Sequence, residues 1–196
     1  MTLAEAVVAA VSPHPAVRQI ELIGSRAEGR ETPSSDWDFG VWTSDFVALS
    51  EALPQLLAPL DPLAQFWDPL SAEQCWMLIL EGPVKVDLIF PEEPHAKEGP
   101  WEVGPGTLRA IDDHFWDWML WLRGKVARDK RELVAGELEK LFVHLLAPLG
   151  AEQAPSSIAA SVAAYRAGRD RAERRFGTSV SRRLEEAVAP ALPDGR

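Results

Sequence analysis

The feature that most constrains the fold is a pair of aspartates inside a short apolar run, Asp36-Trp37-Asp38-Phe39. Apolar residues alternate with other residues up to Thr43, which predicts a strand with one buried face. Residues two apart on a strand point to the same face, so Asp36 and Asp38 are expected side by side, about 7 Å apart. Two like charges this close are costly unless a cation neutralises them. The run therefore predicts a strand that is apolar on one face and holds a divalent cation on the other.

The first half of the chain reads as a mixture of strands and helices. Alternating patterns predict strands at Val17–Ile23, Trp37–Thr43, Ala64–Trp67, Trp76–Leu80 and Val84–Phe90. Helical spacing predicts helices at Ala4–Val11 and Phe46–Leu60, and Pro54 indicates a helix start or break within the second of these. We therefore expect a mixed sheet with flanking helices.

The segment from Pro91 to Gly106 is dense in proline, glycine and charge, and is the best domain boundary in the chain. The pattern after it is helical, at Thr107–Arg128, Leu133–Leu146, Ile158–Phe176 and Val180–Val188. Ser156 and Ser157 are candidate caps of the third of these helices, and the tail from Pro190 is expected to be loose. The predicted class is α+β, with a catalytic domain at residues 1–98 and a helical, acceptor-binding domain at residues 99–196.

The formal net charge is −10, and the acidic excess lies in the first half. Affinity for nucleic acid depends on neutralising phosphates, so an acidic half disfavours a nucleic-acid polymerase or a tRNA-modifying enzyme. A small, cationic acceptor fits this charge better, and mere solubility is the open alternative. The single cysteine, Cys75, excludes an internal disulfide and a cysteine-based zinc site.

No apolar run approaches the length of a membrane span, and the N-terminus lacks the basic region of a signal peptide. We expect no membrane partner and a cytoplasmic location.

A third carboxylate, Asp87, lies on the predicted Val84–Phe90 strand and shares its face with Lys85. If this strand pairs beside Asp38, the carboxylates of Asp36, Asp38 and Asp87 converge. Such a group is able to hold Mg²⁺ for an in-line displacement at phosphorus, with Asp87 as the base near the acceptor. Lys85 is expected to be a surface lysine, and a phosphate contact is the open alternative.

These residues resemble the DNA polymerase β-like nucleotidyltransferase superfamily. The pattern is Gly24-Ser25, ten intervening residues, Asp36-x-Asp38, and a later strand aspartate, Asp87. Its local form is most similar to the small bacterial branch that includes aminoglycoside adenylyltransferases and minimal nucleotidyltransferases. The resemblance covers residues 18–92. The helical half is similar to the aminoglycoside-modifying members only in that a helical domain follows the catalytic one.

The resemblance implies a role for each of these positions. Gly24 and Ser25 would hold the phosphates of a nucleoside triphosphate such as ATP, and Arg26 would either contact phosphate or be a loop charge. The aspartates at positions 36, 38 and 87 would ligate Mg²⁺, and the last of them would also act in base catalysis. The acceptor hydroxyl would attack the α-phosphate and release pyrophosphate.

The resemblance implies AMP transfer to a small-molecule hydroxyl, with an aminoglycoside-like antibiotic as the specific expectation. A protein-modifying adenylyltransferase of the antitoxin kind and a catalytically silent nucleotide-binding module are the alternatives. The protein would be a monomer or a homodimer.

Two charged clusters in the second half have open roles. Asp112, Asp113 and Asp117 lie among tryptophans, either as a solvated acidic face or as contacts for a cationic sugar. Arginines between Arg169 and Arg183 are expected mainly on a solvated helix face, with pairing to the acidic first half, within or between subunits, or to nucleotide phosphates as alternatives.

Overall fold

The structure is a computed structural model that describes residues 1–193. Residues 194–196 of the expected loose tail lie outside the described part of the chain. The chain divides into two compact units, Met1–Glu98 and Gly99–Arg196.

The first unit contains a mixed five-stranded sheet, counted over residues 1–98. Its strands are β1 (Val17–Ile23), β2 (Trp37–Thr43), β3 (Ala64–Trp67), β4 (Glu73–Leu80) and β5 (Val84–Pro94). Its α-helices are α1 (Leu3–Val11), α2 (Gly24–Ala27) and α3 (Phe46–Leu57). The strand order is β1-β2-β5-β4-β3, with β2 and β5 parallel and the other neighbours antiparallel. The expected mixed sheet is confirmed.

One face of this sheet carries the apolar core of the unit. Phe39 of β2 and Leu88 of β5 are fully buried in it, together with Leu49 and Leu53 of α3 and Val7 of α1. Successive strand residues point to opposite faces, so the residues next to Phe39 and Leu88 point away from this core. Those neighbours include Asp38, which precedes Phe39, and Asp87, which precedes Leu88.

Helix α3 shows where local reasoning about proline was wrong. Asp45 caps its start by accepting a hydrogen bond from the Ala48 N–H at 3.0 Å. The helix then continues through Pro54 instead of starting or breaking there. Proline removes one helical hydrogen bond. Pro54 lies on the exposed side, whereas Leu53 and Leu57 are fully buried, so packing of the apolar face outweighs that loss.

The second unit is helical in the part that the structure describes, as expected. Its α-helices are α4 (Leu108–Ala127), α5 (Arg131–Leu141), α6 (Ile158–Phe176) and α7 (Arg183–Val188). Helix α4 contacts the other three. Ser157 caps α6 by accepting from the Ala160 N–H at 3.1 Å, which confirms that predicted start. No helix in residues 1–193 combines the length and the apolar character that crossing a bilayer requires.

Candidate active site

Two of the three predicted carboxylates lie opposite each other across the parallel pair of strands. Asp38 of β2 is the register partner of Asp87 of β5, and the next pair along is Phe39 with Leu88. Because Phe39 and Leu88 point into the core, both aspartates point to the opposite face of the sheet. Neighbouring strands lie about 4.8 Å apart, so the two carboxylates start from adjacent backbone positions. Asp36 directly precedes β2.

The turn after β1 brings bare backbone against the Asp38 carboxylate. Ile23, the last residue of β1, is the register partner of Asp38, and Gly24 follows it with a φ of 69°. A Cβ at position 24 would lie 2.5 Å from Oδ2 of Asp38, which is inside any ordinary contact. Glycine is therefore required here both by the left-handed backbone and by the close approach. The turn is closed by the Arg30 N–H, which donates to the Ser25 carbonyl at 2.8 Å.

Arg26 contacts the segment that carries Asp36. Its Nε donates to the Asp36 carbonyl at 3.0 Å, and its Nη2 donates to the Ser35 carbonyl at 2.7 Å. Its guanidinium also lies 4.0 Å from the centroid of the Trp37 ring. These contacts fix the approach of the chain to β2. The predicted phosphate contact of Arg26 stays a prediction beside this structural role.

The expectation that Lys85 is a surface residue is wrong. Its side chain is only 5% exposed, and its Nζ lies 2.8 Å from Oδ1 of Asp87. It also donates to Sδ of Met77 at 3.1 Å. Lys85 is two residues before Asp87 on β5, so both side chains lie on the same face of the sheet. A lysine two residues before an aspartate, in a segment that is otherwise apolar from Val84 to Phe90, is the sequence signal that could have indicated this buried ion pair.

The carboxylates fit Mg²⁺ by their chemistry, although they do not form a ready-made three-ligand group. Within residues 1–193, no three His, Cys, Asp or Glu side chains are grouped so as to hold a metal ion. The Asp87 carboxylate is paired with Lys85 instead. Mg²⁺ prefers carboxylate oxygen and commonly uses only one or two carboxylates, with waters and substrate phosphates completing its shell. Asp38 and Asp87 supply two carboxylates of this kind from adjacent strands.

The acidic cluster of the second unit is not a solvated face. Asp112 and Asp117 are buried, at 1% and 5% exposure. Tyr165 Oη and Trp116 Nε1 both donate to Oδ1 of Asp112, the latter at 3.2 Å. Burial raises the pKa of the Asp112 carboxyl, and burial together with the Asp112 charge raises the pKa of Tyr165. Asp112 meets Tyr165 of α6, and both aspartates are buried, so the solvated interpretation is wrong for these two residues.

The arginine cluster is likewise used in part within the second unit. Arg169 is 4% exposed and pairs with Glu185 of α7, so the solvated interpretation is wrong for this residue. Arg182 lies 2.7 Å from Glu173, and its hydrogen bonds lower the pKa of the Glu173 carboxyl to about 2. These pairs link α6 to the segment that contains α7.

Comparison with known proteins gives no family assignment. No protein-family model and no curated protein matches the sequence. Among solved structures, a chain of the GLD-2/RNP-8 complex is similar over 66% of this chain and 40% of its own, with 16% identity and a TM-score of 0.39. A chain of the polymerase core of TRAMP, an RNA surveillance complex, is similar over 69% of this chain and 39% of its own, with 16% identity and a TM-score of 0.37. This chain thus spans about two fifths of the length of each, and likenesses this weak assign it no activity.

Proposed function

We propose that this chain is a Mg²⁺-dependent nucleotidyltransferase that moves a nucleoside monophosphate, AMP from ATP in the first instance, onto a hydroxyl of a small molecule. The observation that carries the proposal is the pair of Asp38 and Asp87 across neighbouring parallel strands, with the bare backbone of Gly24 beside Asp38. Asp36, immediately before β2, is the third carboxylate of the proposed group.

Each of these residues has a task in the proposed reaction. Asp36, Asp38 and Asp87 would hold Mg²⁺, which supplies the positive charge that offsets the phosphate charges during transfer. Gly24 and Ser25 form the turn at which phosphate oxygens approach the backbone. Catalysis then depends mainly on positioning and charge complementarity.

The chemical step is a displacement at the α-phosphorus. The acceptor oxygen forms a bond to that phosphorus while the bond to the oxygen that bridges to the β-phosphate breaks, and pyrophosphate leaves. We assign the proton of the acceptor hydroxyl to Asp87, because its carboxylate lies one strand from Asp38 and is paired with Lys85. An acidic neighbour of the acceptor also fits a cationic acceptor.

The charge distribution supports a small acceptor in place of a polyanion. The chain carries a formal net charge of −10, with its acidic excess in the half that holds the site. A nucleic acid acceptor would have to approach against this charge. An aminoglycoside-like polycation would be attracted by it. The acceptor-binding role of the helical unit stays a prediction.

The test is transfer of label from α-³²P-ATP. The purified chain is incubated with Mg²⁺ and a panel of aminoglycosides and neutral polyols, and products are separated from ATP by thin-layer chromatography. Label on a small molecule is expected with the unchanged chain, and Asp38→Asn should lower the rate by more than about 10²-fold. The control is Glu51→Gln, which neutralises an exposed carboxylate on α3 and should leave the rate unchanged.

The outcomes separate the candidate activities. Label on protein would indicate that the acceptor is a protein and not a small molecule. Mg²⁺-dependent ATP binding without transfer would indicate a silent nucleotide-binding module. Full transfer by Asp38→Asn would remove the metal-binding role that the proposal gives to this residue.

A further inference from the structure

A positive charge is buried beside one of the proposed metal ligands. The Lys85 side chain is 5% exposed and the Asp87 side chain 13%, with 2.8 Å between Nζ and Oδ1. An ammonium group is expensive to bury unless a charged partner compensates it. The pairing of Lys85 with Asp87 supplies that compensation.

The surroundings of Lys85 on β4 are apolar. Its register partner is Ile79, and the partner of Asp87 is Met77, which are 0% and 2% exposed. The ammonium donates a hydrogen bond to the thioether sulfur of Met77, a weak acceptor. Of these two contacts, the ion pair with Asp87 therefore contributes the greater charge compensation.

We propose that Lys85 is a built-in counter-ion of Asp87 that a divalent cation must displace, so that Lys85 lowers the cation affinity of the site. This inference rests on the proposed function, because it takes Asp87 as a metal ligand. An ammonium and a divalent cation compete for the same carboxylate oxygens and repel each other. Lys85 orients the Asp87 carboxylate while no cation is bound. The site is thereby kept from binding divalent cations tightly before the triphosphate brings its own negative charge.

The proposal predicts a gain of metal affinity when the charge is removed. Lys85→Met keeps an unbranched apolar side chain beside Met77 and removes the ammonium. The expected gain is at least about tenfold, because repulsion between a unit charge and a divalent ion roughly 5 Å apart reaches this factor even in a water-like dielectric. A residue that only filled space at this position would leave metal affinity unchanged.

The experiment is a titration with Mn²⁺ in the absence of nucleotide, followed by the electron paramagnetic resonance signal of free Mn²⁺. It compares the unchanged chain with Lys85→Met, Lys85→Arg, Lys97→Met and Asp38→Asn. Lys85→Met should bind Mn²⁺ at least about tenfold more tightly, and Lys85→Arg, which keeps the charge, should bind like the unchanged chain. Lys97→Met removes an equal charge from an exposed position in the same unit, and should also bind like the unchanged chain.

A second measurement does not require the Lys85→Met variant to fold. In the unchanged chain, ¹⁵N nuclear magnetic resonance of the lysine ammonium groups reports whether Mg²⁺ releases Lys85 from Asp87. The Lys85 signal is assigned through Lys85→Arg, and its hydrogen exchange should accelerate as Mg²⁺ saturates the site. An unchanged Lys85 signal at saturation would overturn the inference.

The inference and the proposed function fail in different ways. Equal Mn²⁺ affinity of the unchanged chain and Lys85→Met, together with weaker binding by Asp38→Asn, would overturn the role of Lys85 and leave the metal site in place. Absence of Mn²⁺ binding by every variant would overturn the metal site and this inference together.

Discussion

Replacing Gly24 by alanine tests the close approach between the end of β1 and the Asp38 carboxylate. The substitution has two separate costs. The backbone at position 24 has a φ of 69°, and an L residue with a side chain loses about 1–2 kcal/mol in this left-handed region. In addition, the new Cβ would lie 2.5 Å from Oδ2 of Asp38, whereas ordinary contacts begin at 3.4 Å. The carboxylate must therefore retreat from the position that the proposed metal site requires.

Gly29 provides a matched control for the backbone cost. Its φ is 64°, nearly that of Gly24, and a Cβ there would meet no atom within 4 Å. Gly24→Ala and Gly29→Ala should therefore each lower the free energy of unfolding by about 1–2 kcal/mol, because both positions have a left-handed backbone. Only Gly24→Ala displaces Asp38. A shift of nearly 1 Å in a ligand should weaken metal binding by roughly 10–10²-fold.

Two measurements on each variant decide the matter. Urea unfolding gives the loss of stability, and Mn²⁺ titration gives the metal affinity. Equal Mn²⁺ affinities for the two variants would refute the close approach as a determinant of the site. A Gly29→Ala variant as stable as the unchanged chain would refute the assigned backbone cost.

Two further predictions concern the second unit. Burial raises the pKa of Asp113 to about 6, despite Arg109 at 3.7 Å, so the folded state keeps a proton that the unfolded state loses between pH 4 and 6. The stabilisation from this group is complete below pH 4 and is lost as the pH rises through 6, about 3 kcal/mol in all. Asp113→Asn should remove this contribution to the difference between the free energies of unfolding at pH 4 and pH 7, measured in urea. The same difference in the variant as in the unchanged chain would contradict the prediction. Tyr165→Phe removes a donor to buried Asp112 but keeps the stack on Phe115, whose ring centroid lies 3.9 Å away. It should cost about 1.5–3 kcal/mol in urea unfolding, and a loss under about 0.5 kcal/mol would show that this hydrogen bond contributes little.

Local periodicity was enough to predict many elements. The bounds of β2 and of α6 were predicted as the structure has them, because side-chain alternation and helical spacing are properties of neighbouring residues. Pro54 was misjudged because its effect depends on which side of α3 it occupies and on how well the opposite side packs. That information is not local.

The buried charges could not be predicted in the same way. Asp112 and Tyr165 are 53 residues apart in sequence and meet only because α4 and α6 pack together. Lys85 is buried because β5 lies inside the sheet, beside β4. A sequence shows the charge of such a residue, but its partner depends on the register and packing of distant elements.

The candidate site also combines features that neighbouring residues determine with features that depend on distant ones. The sequence places Asp36 and Asp38 on one side of a strand and Asp87 on a later strand. The direct pairing of Asp38 with Asp87 depends on the register of two parallel strands, which alternation alone does not determine. The 2.5 Å approach at Gly24 is visible only in coordinates. The catalytic roles of these residues stay predictions.

The strand order has a consequence for assembly of the protein. Strands β3, β4 and β5 follow one another as an antiparallel meander, and β1 and β2 pair antiparallel, so both groups form from near neighbours in the chain. Within the sheet of residues 1–98, the two groups are joined through the parallel pairing of β2 with β5, which must wait until β5 has been synthesised. Asp38 and Asp87 face each other across this last junction. Separation of β2 from β5 would therefore take the proposed catalytic centre apart, so loss of activity should accompany any loosening of this contact.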